Sequence, residues 1–68
     1  MTFRIEIELE TDGRWIAEVL ELPGVLAYGG TPEDARAKVT ALALRTIADR
    51  VENGEASPDL LNITFLAA

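Results

Sequence analysis

Trp15-Ile16-Ala17-Glu18-Val19-Leu20-Glu21-Leu22-Pro23-Gly24-Val25-Leu26-Ala27-Tyr28-Gly29-Gly30-Thr31-Pro32-Glu33-Asp34-Ala35 is the stretch that decides the fold of this chain. Trp15, Ala17 and Val19 alternate with Arg14, Ile16, Glu18 and Leu20, the period-two pattern of a strand with one buried face. Leu22-Pro23-Gly24-Val25 reads as a type II turn, with proline presetting the first central position and glycine supplying the positive φ at the second. Val25 to Tyr28 then forms a short strand, and Gly29-Gly30 lets the chain change direction. Thr31-Pro32-Glu33-Asp34 starts a helix. Threonine can accept from free backbone amides, proline suits the first helical position, and two carboxylates favour the positive end of the helix dipole. Asp34 stands where a capping box normally has Glu or Gln.

The helix is predicted to run to about Glu52 or Asn53 and to stop at Gly54. Ala35, Val39, Leu42, Ala43 and Ile47 make one apolar stripe along it, while Leu44 and Val51 lie nearly opposite, where a single sheet does not reach them. Upstream, Phe3, Ile5, Ile7 and Leu9 alternate with Thr2, Arg4, Glu6, Glu8 and Glu10, a first strand. The connection through Thr11-Asp12-Gly13 is settled by pairing. A three-residue loop sets Leu9 opposite Trp15, Ile7 opposite Ala17 and Ile5 opposite Val19, whereas a two-residue turn would put Trp15 on the face of Glu8 and Glu10. Gly13 is therefore expected in the left-handed region, forming a bulge. Downstream, Ser57-Pro58-Asp59 reads as a linker, and Leu61, Ile63 and Phe65 as a fourth strand. The expectation is a single α+β domain, residues 1–68, of order βββαβ with the helix on one sheet face.

Sixty-eight residues give a small core that buries only about 60% of the unfolded surface, and there is no cysteine to staple it. Oligomerisation is the remaining common support for so small a fold, and a dimer is expected. The net charge of −6 is uneven. Residues 1–34 hold eight carboxylates against two arginines, whereas residues 35–68 hold four carboxylates against three arginines and one lysine. The acidic half argues against direct nucleic-acid binding, and on charge alone it fits a basic protein partner and simple solubility equally well. No run reaches the roughly 18 apolar residues of a membrane span, and the N-terminal stretch lacks the shape of a signal peptide, so a cytoplasmic location is expected.

Glu21-Leu22-Pro23-Gly24, preceded by the aromatic-x-Ala strand of Trp15 and Ala17, resembles the core of the HicB antitoxin family. Gly29-x-Thr31-x-x-Asp34-Ala35 is similar to that family's helix start. The likeness covers roughly residues 3–55. Leu20 stands where the family often has proline, and Gly30 where an acidic residue is usual. The resemblance implies a partial ribonuclease-H-like fold: three antiparallel strands, a helix, then a strand beside the first. It also implies neutralisation of a HicA-type RNA-cleaving toxin, a small basic protein, by direct contact. Many family members add a C-terminal DNA-binding segment. This chain ends at Ala68 without one, so repression of its own operon is not expected of it. The alternative is a small oligomeric protein of the same fold with no toxin partner.

A ribonuclease-H-like fold also raises metal-dependent nuclease chemistry, with converging carboxylates holding metal ions. Glu6, Glu8 and Glu10 on the first strand, Glu33 and Asp34 at the helix start, and Asp59, Asn62 and Thr64 near the fourth strand are the candidates. Glutamates alternating along a half-exposed strand form its solvent side, and the chain contains no histidine, so no catalytic residue, metal site or cofactor is expected. The basic helix residues Arg36, Lys38, Arg45 and Arg50 read as a solvated face, with Lys38 four residues after Asp34 and Asp49 four after Arg45. Trp15 reads as core, and Tyr28 as a rim residue for which partner contact and simple packing stand equally open. Ile16, Leu20 and Leu66 fall on the sheet face away from the helix, a surface for self-association, a partner or both. The expected binding surface is an apolar centre with an acidic rim, made of Glu6, Glu8, Ile16, Glu18, Leu20 and Tyr28.

Overall fold

A computed structural model describes residues 1–55 and 62–68. Its elements follow in the order β1 (Thr2–Leu9), β2 (Trp15–Val19), β3 (Leu26–Gly29), α1 (Pro32–Glu52) and β4 (Thr64–Ala67). The four strands form one mixed sheet, ordered β3-β2-β1-β4, with α1 packed on one face. β1 pairs antiparallel with β2, β2 antiparallel with β3, and β4 parallel with β1.

The register of the first hairpin follows from burial. Ile5 is opposite Val19, Ile7 opposite Ala17 and Leu9 opposite Trp15, as the alternation requires. The Gly13 amide donates to Glu10 O at 3.1 Å and the Glu10 amide to Arg14 O at 2.7 Å, with Gly13 at φ +89°, the bulged three-residue loop. The Pro-Gly turn closes through a bond from the Val25 amide to Leu22 O at 3.0 Å, with Gly24 at φ +85°. Leu22 and Val25, on either side of it, are buried and close that end of the core.

Thr31 takes an extended conformation and its hydroxyl accepts the Asp34 amide at 3.0 Å. Asp34 reaches back past the cap residue to accept from the Gly30 amide at 3.3 Å, rather than from Thr31 as in a full capping box. The helix ends at Asn53, with Gly54 at φ +71°.

The core is Phe3, Ile5, Ala17 and Val19 from the sheet, Leu22 and Val25 from the turn, and Ala35, Val39, Ala43 and Ile47 from α1. The helix lies mainly over β3 and β2 and has less contact with β1. Trp15, read as core from the sequence, departs from that reading, and the offset leaves Leu9 of β1 uncovered. Trp15 is half-buried, packed at the edge of the core, and Leu9 is exposed. The fourth strand also lies later than expected, at Thr64–Ala67 rather than Leu61–Phe65, because pairing with β1 begins when the Thr64 amide donates to Met1 O at 2.9 Å. Phe65 is its inward anchor, 5.7 Å from the Phe3 ring. Leu61 and the Ser57-Pro58-Asp59 linker lie outside the described residues. No helix among the described residues is long and apolar enough to cross a membrane.

Candidate functional site

Strand alternation sends Phe3, Ile5, Ala17 and Val19 to the helix, and among the described residues no second layer covers the opposite sheet face. Its composition can be read rung by rung from the register. Tyr28, Ile16 and Glu8 make one rung. Leu26, Glu18 and Glu6 make the next. Arg4 and Leu66 pair on the third, which Leu20 joins through its amide bond to Arg4 O at 3.0 Å. All six residues expected at a binding surface therefore share this one face.

Their arrangement differs from the expected one. Glu6 and Glu18 sit directly opposite each other on the two central strands, so the acid lies in the middle of the face. The large apolar side chains are spread to its flanks: Leu26 and Tyr28 on β3, Leu66 on β4, and Leu20 at the end of β2. Leu20, Leu26, Tyr28 and Leu66 are all exposed, and Ile16 is half-buried between Glu8 and Tyr28.

Electrostatics sharpen the picture. Both cations of the acidic half already have partners. The Arg4 guanidinium donates to Glu21 at 2.6 Å, and that hydrogen bond, joined by the Arg4 backbone amide, lowers the Glu21 pKa. Arg14 donates to Asp12 from its backbone amide at 3.0 Å and from Nε at 2.7 Å, which lowers the Asp12 pKa. The Arg14 guanidinium also lies 4.3 Å from the centroid of the Tyr28 ring. At the helix start Lys38 pairs with Asp34 at 3.0 Å, and this contact together with the Gly30 amide lowers the Asp34 pKa. No ion pair among the described residues involves Glu6, Glu8 or Glu18.

Like charges directly opposed across an antiparallel pair destabilise a sheet by a few tenths to about 1 kcal/mol. Replacing Glu18 with threonine removes the opposition and adds a strand-favouring residue. We expect Glu18→Thr to stabilise the protein by about 0.5 kcal/mol, raising Tm by about 2–4 °C. A thermal melt monitored by circular dichroism checks this, and a lowered Tm would show that Glu18 is stabilising within the fold.

Other features offer less. The described residues contain no group of three or more His, Cys, Asp or Glu side chains that could hold a metal ion. Glu33 and Asp34 are at the helix start, away from the glutamates of β1, and Asp59 lies outside the described residues. A hollow of about 140 Å³ lies near the C-terminal end of α1, lined by residues that include Phe3, Leu22, Ile47 and Arg50. That is well below the roughly 300 Å³ at which small-molecule pockets begin. Sequence reasoning missed the Arg14–Tyr28 contact, because the two residues meet across strands only once the β2–β3 register is known. In comparisons with known proteins the chain matches no family model, and neither a curated protein nor a solved structure is significantly similar to it.

Proposed function

We propose that this chain is a non-enzymatic binding domain, a HicB-like antitoxin that covers a basic HicA-type toxin with its helix-free sheet face. The observation that carries the reading is the face itself. Glu6, Glu8 and Glu18, which form no ion pair among the described residues, sit among Ile16, Leu20, Leu26, Tyr28 and Leu66. A basic partner can supply the missing counter-charge, and the apolar flanks can hold the complex once formed. The glutamate opposition costs the free protein stability and is relieved when a cation is placed between the two strands. The Glu21-Leu22-Pro23-Gly24 and Gly29-to-Ala35 motifs, and a fourth strand parallel to the first, add support for the HicB-like, partial ribonuclease-H-like reading.

The test is stopped-flow association with a purified HicA-type toxin, comparing wild type with Glu6→Gln/Glu8→Gln across a salt series. The double variant is expected to associate about tenfold more slowly at low salt, with a shallower salt dependence. The two proteins should converge near 1 M salt, where screening shortens to about 3 Å. Unchanged rates and an unchanged salt slope would remove this face from the mechanism.

A further inference from the structure

α1 carries a second apolar stripe that the sheet does not cover. Opposite the buried Ala35, Val39, Ala43 and Ile47, the residues Ala37, Ala41, Leu44, Ala48 and Val51 recur at spacings of four, three, four and three. At 3.6 residues per turn they fall within about 80° of arc. No charged side chain interrupts the line, and Leu44 and Val51 are 48% and 54% exposed. A surface helix ordinarily has one apolar side. This one has two, and the second has the alternating three-and-four spacing by which one helix packs along another.

We propose that a second copy of this chain docks here, helix against helix, antiparallel about a two-fold axis near Leu44. Charge selects the occupant. The sheet face, with Glu6, Glu8 and Glu18, would repel a copy of itself, whereas residues 35–68 carry equal numbers of acidic and basic side chains. The flank of the stripe is self-complementary only in the antiparallel sense. Lys38, Arg45 and Glu52 lie along one side at seven-residue intervals. A two-fold axis near Leu44 brings Lys38, which also pairs with Asp34 of its own helix, beside Glu52 of the partner subunit, whereas in a parallel pair this flank would face the partner's opposite flank and Lys38 would not meet a Glu52. Arg45 lies near the axis, and Asp49, four residues on, is spaced to offset its charge along the helix, although the two form no ion pair in the free chain. The three alanines let the backbones approach closely while Leu44 and Val51 supply the apolar contact. In this dimer the two acidic sheet faces point outward, away from each other. Self-association and toxin binding then use opposite sides of the domain, and neither surface depends on the other.

Sedimentation equilibrium at micromolar concentration tests the proposal. Wild type should give twice the 7.4 kDa monomer mass. Leu44→Glu should give the monomer mass with an unchanged far-UV spectrum. Leu20→Glu, on the sheet face, should remain dimeric. Lys38→Glu should weaken the dimer about tenfold, and Lys38→Glu/Glu52→Lys should restore it. A wild-type monomer, a dimeric Leu44→Glu or a monomeric Leu20→Glu would overturn the assignment. If Leu44→Glu fails to fold, the charge-swap pair decides: no loss with Lys38→Glu, or no recovery in the double variant, overturns it.

Discussion

Gly29→Ala is expected to bring this protein close to unfolding. The position has an ordinary φ, so the obstacle is space. A Cβ added at residue 29 would lie 2.5 Å from the Ala35 amide nitrogen, 2.9 Å from Ala35 Cα and 2.8 Å from Asp34 Oδ2. Two of these atoms are backbone in the first turn of α1, and that turn cannot move away. β3 is held to β2 by the pairing of Trp15 with Gly29, the helix is fixed by the Thr31 cap, and only Gly30 and Thr31 separate the two elements. Overpacking a core costs about 1–3 kcal/mol and occasionally more. A contact this short against backbone belongs at the upper end, about 3 kcal/mol, for a chain of this length whose total stability is about 3–10 kcal/mol. Tm should fall by about 12–24 °C. Gly30→Ala is the control, since nothing lies within 4 Å of a Cβ there, and it should melt near wild type. If Gly29→Ala melts within a degree or two of wild type, the helix does not rest directly on β3.

Phe3→Ala should be at least as damaging, through the opposite fault. Phe3 is fully buried and among the largest side chains with no exposure. Truncating a buried phenylalanine costs about 3–5 kcal/mol in lost burial and residual cavity. Here the loss spreads, because the Phe3 ring is the contact for Phe65, the inward aromatic of β4. We expect Phe3→Ala to lose cooperative urea unfolding altogether. Phe3→Leu, which keeps most of the volume, should stay folded within about 1.5 kcal/mol of wild type. A cooperative Phe3→Ala transition at the wild-type midpoint would show that β1 and β4 are not joined through this core.

The sequence was readable where local chemistry and burial agreed. Thr31-Pro32 located the helix start to the residue, and the alternation around Thr11-Asp12-Gly13 settled the register, because the competing pairing would have buried glutamates. Leu9 pairs with Trp15 as the alternation requires yet is exposed, because strand alternation reports a face and not whether a helix covers it, and α1 sits off-centre toward β3. β4 was placed too early because its pairing is set by the backbone of a strand some sixty residues away in sequence, which leaves no local trace. The candidate surface was legible as a set of residues but not as a pattern. Parity assigns Glu6, Glu8, Ile16, Glu18, Leu20 and Tyr28 to one face, yet only the strand order places the glutamates on the middle strands beside Ile16 and the exposed apolar groups around them.

The parallel pairing of β4 with β1 sets a timetable for synthesis. The hairpin, the third strand and the helix are complete in sequence by residue 52, but β1 keeps one side unpaired until residues 64–67 have left the ribosome. Through that interval the nascent chain displays an open strand edge, and on a polysome identical unfinished edges lie close together. The glutamates that alternate along the same strand, Glu6 and Glu8, put charge beside that edge while the chain waits for its closing strand.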